Sequence, residues 1–181
     1  MPGIKIICLG DSNTYGYDPR SFFGGRYDKT SRWVDILAEK TGWEICNRGE
    51  NGREIPSAPI SVYEDTDLLI VMLGSNDLLQ GLSPETVAGK MEQFLAGLQL
   101  EREKILLIAP PPMAPGEWVH DDGLINASVY LGSLYQTLAV RLGIHFADAG
   151  KWDVELSYDG VHFTEQGHRA FADSLLKEMN K

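Results

Sequence analysis

The sequence predicts an α/β domain built on a parallel sheet with helices on both faces. Three observations carry that prediction. Strand-like and helix-like segments alternate from end to end, with no repeat, low-complexity tract or linker between them. The strand candidates are short, nearly continuous apolar runs, as expected of strands buried on two faces. A length of 181 residues, 43% of them hydrophobic, fits one domain (1–181) with a sizeable core.

Ile4-Lys5-Ile6-Ile7-Cys8-Leu9 is the first strand. Thr30 or Ser31 then caps a helix whose Trp33, Val34, Leu37 and Ala38 share one face, and Gly42 stops it. Trp43 to Cys46 is the second strand, and Asp67 to Leu73 the third and clearest. Ser83 followed by Pro84 opens a helix favourably: a capping hydroxyl, then a residue with φ preset for the first turn. Its apolar stripe is Val87, Met91, Phe94, Leu95 and Leu98. Lys104 to Ala109 is the fourth strand, ended by Pro110-Pro111-Pro112. Leu131, Leu134, Tyr135, Leu138 and Leu142 mark a helix that stops at Gly143, before a fifth strand from Ile144 to Ala147. Thr164 to Met179 is the last helix. Strands joined through helices run parallel, and such sheets bind ligands in the loops beyond their carboxyl ends. The segments to inspect therefore follow Leu9, Cys46, Leu73, Ala109 and Ala147.

Composition narrows the function first. Lys and Arg total 16 against 26 Asp and Glu, a net charge of −10. That balance argues against nucleic acid or an anionic membrane as partner, although Arg48 and Arg53 leave room for a local anionic contact. The apolar run Leu68 to Leu73 is too short to span a membrane. The N-terminal apolar segment runs into Gly10-Asp11-Ser12 without a cleavage-like region, so the chain reads as soluble and cytoplasmic. Cys8 and Cys46 make neither a disulfide framework nor a CxxC motif and read as buried free thiols. His120, His145 and His168 lack metal-ligand spacing; His145 reads as strand and His168 as part of the last helix.

Polar residues with complementary chemistry collect at the strand ends. Gly10-Asp11-Ser12-Asn13-Thr14-Tyr15-Gly16 lacks the glycine spacing and the Lys-Ser/Thr pair of a phosphate loop. It leaves Ser12 at a strand-to-helix turn; the alternative is that Asp11 and Ser12 merely cap that helix. Asn47-Arg48-Gly49-Glu50-Asn51-Gly52-Arg53 offers backbone N–H groups in a glycine loop. In Gly74-Ser75-Asn76-Asp77 the asparagine either forms a turn or aims its amide at a developing oxyanion. Asp159-Gly160-Val161-His162 sets a carboxylate three residues before an imidazole. One turn of backbone lets that carboxylate fix the tautomer and leaves Nε2 as a base. The plain alternative there is a surface loop with a solvated histidine.

Taken together and in this order, the four segments resemble the blocks of the SGNH (GDSL-type) esterase and lipase superfamily. The longer stretches Gly10–Tyr17, Val71–Asp77, Ala109–Pro115 and Asp159–Thr164 are similar to its arylesterase and acyltransferase branch. The resemblance implies a flavodoxin-like three-layer α/β/α domain, sheet order 2-1-3-4-5, with no metal and no cofactor. It implies Ser12 as nucleophile, Asp159 and His162 as its triad partners, and an oxyanion hole of the Ser12 and Gly52 N–H groups with the Asn76 amide. The expected activity is hydrolysis of a small short-acyl ester through an acyl-enzyme, with acyl transfer to alcohols. A carbohydrate deacetylase using the same residues is the second reading. A catalytically silent module is the third, against which the presence of all five chemical residues argues.

Two departures stand out. Asn13 replaces the leucine of the usual GDSL, at a position expected to matter little because it is not chemical. The segment 53–66 is shorter than an insertion that the acyltransferase branch links to oligomerisation, which leaves a homo-oligomer and efficient transfer open. Tyr17, Met113 and Trp118, with Pro112, are candidates for an apolar mouth, against plain packing.

Overall fold

Alternation along the first strand decides how the layers stack. In the computed structural model, which describes residues 3–181, strand β1 (Lys5–Gly10) sends Ile7 and Leu9 to one face and Ile6 and Cys8 to the other. Helix α1 (Ser12–Tyr15), helix α2 (Trp33–Thr41), β2 (Glu44–Gly49), β3 (Leu68–Met72), α3 (Ser75–Leu79) and α4 (Pro84–Ala96) follow. The chain then continues through β4 (Ile105–Ala109), α5 (Asp122–Leu142), β5 (His145–Asp148) and α6 (Glu165–Met179). All strand pairs are parallel and the sheet order is β2-β1-β3-β4-β5. The expected α/β fold and sheet order are therefore present.

On one face Ile7 and Leu9 join Leu69, Val71 and Leu107 under α4 and α5, which contribute Val87, Met91, Leu95, Leu131, Tyr135 and Leu138. On the other, Ile6, Cys8, Ile70 and Ile108 meet Trp33 and Leu37 of α2 and Phe171 and Leu175 of α6. Fully burying each such side chain stabilises by about 1.5–3 kcal/mol, so these two cores hold the layers. Among the described residues, no helix is long and apolar enough to cross a membrane.

Several boundaries differ from expectation. The second strand begins at Glu44 and runs to Gly49, so Asn47, Arg48 and Gly49 pair with Cys8, Leu9 and Gly10 instead of forming a loop. Helix α2 is not capped by Thr30 or Ser31; both lie in a 3-10 turn (Lys29–Ser31), and extended Arg32 precedes the helix without a side-chain cap. Ser83 caps α4 as expected, its hydroxyl accepting from Thr86 N, with Pro84 next. Both cysteines are free, but Cys46, on the edge strand, is only half-buried.

Candidate active site

The site is assembled at the carboxyl end of the sheet. As β1 ends, Asp11 turns out of the strand and its Oδ1 accepts from Asn13 N (3.0 Å), which caps α1. Ser12 is then the first residue of a helix, and its own N–H has no acceptor within that helix. Both readings of this segment hold together: Asp11 caps, and Ser12 is left free to face elsewhere. Its Oγ lies 3.0 Å from His162 Nε2.

The segment 159–162 curls as its spacing allows. Asp159 Oδ1 accepts from the N–H groups of Val161 (2.8 Å) and His162 (2.9 Å), while Oδ2 lies 2.6 Å from His162 Nδ1. A carboxylate accepts, so Nδ1 carries the proton and Nε2 offers its lone pair to the serine hydroxyl. Burial pushes the Asp159 carboxyl up. The hydrogen bonds from the His162 ring and from the two backbone N–H groups outweigh it and hold the carboxyl at about 2. Ser12, Asp159 and His162 are all buried. Gly160 permits the curl: its φ is +82°, and a Cβ there would lie 2.0 Å from Ala114 O.

The glycine turn arrives from β2. Glu50 N donates to Gly10 O (3.2 Å) and Arg53 N to Glu50 O (3.2 Å), which leaves Gly52 exposed in the turn between them. Asn76, in the first turn of α3, donates through Nδ2 to Arg53 O (3.1 Å) and stands 3.5 Å from Asp11 Oδ2. One amide hydrogen thus ties α3 to the glycine turn and the other is directed towards the carboxylate of Asp11, the neighbour of Ser12. Asp77, fully buried, accepts from Ile55 N (3.1 Å) and Lys90 Nζ (2.5 Å), anchoring the chain after Arg53 to α3 and α4.

Aromatic rings frame the imidazole. Tyr17 and Trp118 meet His162 edge-on, at centroid distances of 4.7 and 4.9 Å. Trp118 is 49% exposed and sits on the loop after β4, whose backbone is bonded to the segment 158–160. Ala114 N donates to Gly160 O, Glu117 N to Tyr158 O and Trp118 N to Asp159 O, at 3.0–3.1 Å. Gly116 lies so close that a Cβ would sit 2.4 Å from the carbonyl carbon of Asp159. Met113 is a correction. It is 4% exposed in the α4–α5 core and its N–H donates to Ser128 Oγ (2.9 Å), so it backs the loop instead of forming an open lip.

Ser12, Asp159 and His162 are thus brought into contact, while Asn76 at the start of α3 reaches Arg53 O and Asp11, and Gly52 lies in the turn after β2. His145 lies in β5 with Nε2 near Glu103 O (3.0 Å), and His168 in α6. No group of three or more His, Cys, Asp or Glu side chains is arranged to hold a metal ion among the described residues. The sequence reading missed Asp77 and the use made of Asn13.

Comparisons with known proteins agree with this architecture. The profile of the GDSL-like lipase/acylhydrolase family matches residues 8–170. No curated protein matches the chain. Among solved structures, the native aryl esterase of M. smegmatis superposes with a TM-score of 0.84 at 24% identity, over 98% of each chain. A candidate arylesterase from Agrobacterium tumefaciens str. C58 gives a TM-score of 0.81 at 26% identity, over 98% of each chain. A carbohydrate acetylesterase family member from Sinorhizobium meliloti gives 0.81 at 24%, over 98% of this chain and 97% of that one.

Proposed function

The chain belongs to the GDSL-like lipase/acylhydrolase family, and from that premise we propose a serine esterase that cleaves small short-acyl esters through an acyl-enzyme. The observation that carries this reading is the line from Ser12 Oγ through His162 Nε2 (3.0 Å) and Nδ1 to Asp159 Oδ2 (2.6 Å). Serine is a weak nucleophile until a base takes its proton. His162 Nε2 accepts that proton as Oγ bonds to the ester carbonyl carbon, and Asp159 stabilises the imidazolium that results. The carbonyl oxygen becomes an oxyanion, to which the Ser12 and Gly52 N–H groups and the Asn76 amide donate. When the C–O bond to the leaving group breaks, His162 returns the proton to the departing alkoxide. Water, deprotonated by the same nitrogen, then releases the acid and restores Ser12.

Tyr17 and Trp118, both packed edge-on to the imidazole, supply an apolar approach for the leaving alcohol. An incoming alcohol can use that approach in place of water, which makes acyl transfer the companion reaction. Hydrolysis dominates in plain buffer. From vinyl acetate and benzyl alcohol in water, the ratio of benzyl acetate to acetic acid measures the partition. No ester above the enzyme-free control removes the transfer reading. Deacetylation of sugars, the class named for the S. meliloti relative, uses the same groups. The exposed polar residues Glu50 and Asn51 beside Gly52 favour it as the second reading.

The test is a screen of p-nitrophenyl acetate, longer p-nitrophenyl esters and acetylated xylose, with fluorophosphonate labelling of the protein. Turnover and labelling that are both lost in Ser12→Ala support the serine esterase. Labelling elsewhere, or turnover retained in Ser12→Ala, overturns it.

A further inference from the structure

The residue after the nucleophile is built into the site. Asn13 is buried, and its carboxamide reaches across to the two peptide groups that flank His162. Nδ2 donates to Val161 O (3.1 Å) and Oδ1 accepts from Phe163 N (3.0 Å). A carbonyl can only accept and an N–H can only donate, so these partners also fix which way round the amide lies. Asn13 is itself immovable: its N–H is bonded to Asp11 Oδ1 (3.0 Å), and its carbonyl accepts from Trp33 Nε1 (3.0 Å), which comes from α2. Nucleophile and base reside 150 positions apart in the chain. Asn13 is covalently next to the one and hydrogen-bonded on both sides of the other.

We propose that Asn13 is a positioning residue that holds the His162 peptide in register with Ser12 through this two-ended amide clamp. The inference rests on the reading of Ser12 and His162 as nucleophile and base. It also corrects the expectation that this position matters little because it carries no chemistry. Leucine repeats the branched skeleton of asparagine with more bulk and neither polar end, so it would leave Val161 O and Phe163 N buried without partners. The segment then relaxes towards other donors and acceptors, and an ångström-scale drift of the imbalanced imidazole away from Oγ is enough to slow attack strongly.

The experiment compares Asn13→Leu and Asn13→Asp with the parent protein, using p-nitrophenyl acetate turnover, thermal melting and the deshielded proton resonance of His162 Nδ1–H. Asn13→Asp keeps the acceptor for Phe163 N and loses the donor to Val161 O. A folded Asn13→Leu protein is expected to lose about 10–100-fold in kcat with KM changed less than about threefold, the pattern of lost transition-state alignment. Its Nδ1 proton resonance should shift or broaden, and Asn13→Asp should show a smaller loss of the same kind. Parent-like kcat and an unmoved resonance in either folded variant overturn the clamp. If Leu prevents folding, Asn13→Asp decides by the same criteria. Turnover retained in Ser12→Ala would instead sink the esterase assignment, while the resonance still reports on the clamp.

Discussion

Asn76, proposed as an oxyanion donor, also has a structural contact, and the two separate on substitution. Its amide donates to Arg53 O and reaches to 3.5 Å from Asp11 Oδ2, next to Ser12 in the chain. Asn76→Ala is expected to lower kcat by about 10²–10³ with a smaller change in KM, because the donor acts mainly on the charged intermediate. Steady-state kinetics on p-nitrophenyl acetate check this, and a change confined to KM would contradict it. Asp11 offers a test with the opposite sign. Burial pushes its carboxyl up to about 6, against the pull of the Asn13 N–H and the His162 charge. Between roughly pH 4 and 6 the unfolded chain is ionised there while the folded chain keeps its proton. The stabilisation is therefore complete at low pH and lost as pH rises through the folded value. Asn is as good a helix cap as Asp. Asp11→Asn should accordingly melt several degrees higher than the parent at pH 8, with the advantage shrinking by pH 5.

The loop after β4 holds the segment of Asp159 and His162 by backbone contact, and Gly116 is its tightest point. A methyl group there meets the Asp159 carbonyl carbon at 2.4 Å, so either the loop or the segment of Asp159 and His162 must move. Gly116→Ala is expected to cost at least about tenfold in kcat through misplacement of His162. The measurement is kcat alongside a melting curve, and an unchanged kcat would show that the loop absorbs the methyl. Strands and helices with continuous apolar runs or strong stop signals were legible from the residues: β1, β3, β4, and α4 with its Ser83-Pro84 start. What escaped was set by distant partners. Asn47-Arg48-Gly49 looks like loop, yet β1 supplies hydrogen bonds along an edge strand that has little need of apolar side chains. Ser31 looks like a cap, but its hydroxyl lies 3.3 Å from Glu165 in α6, so a partner from another layer takes it. Asn13 belongs to the same class, because its two partners follow β5 and nothing local announces them. Ser12 was legible from its place at the end of β1 and Asp159 and His162 from their three-residue spacing, while their joining into one site was legible only through the resemblance to the SGNH blocks.

Across the whole molecule, the layer formed by α2 and α6 makes stability acid-sensitive. His168 is fully buried, its Nδ1 accepting from Trp33 N (3.2 Å), between the rings of Tyr27 and Phe163. Burial, with a smaller contribution from the Arg32 charge, holds the imidazole down at about 3. An unfolded histidine titrates near ~6.5. Between those values the unfolded chain binds a proton that the folded chain refuses, so stability falls as pH drops from about 6.5 towards 3. His168→Gln keeps an acceptor and removes the titration. Urea midpoints measured from pH 7 to pH 4 should decline less steeply in that variant, and parallel curves would assign the acid sensitivity elsewhere. The all-parallel sheet has a further consequence, in time. A Ser12–His162 bond spanning 150 positions closes only after large chain loops have closed, and β1 sits between two strands that both come later in the chain. Such topologies fold slowly. During refolding, helical signal returns early, while hydrolysis waits until the segment after β5 docks beside Ser12.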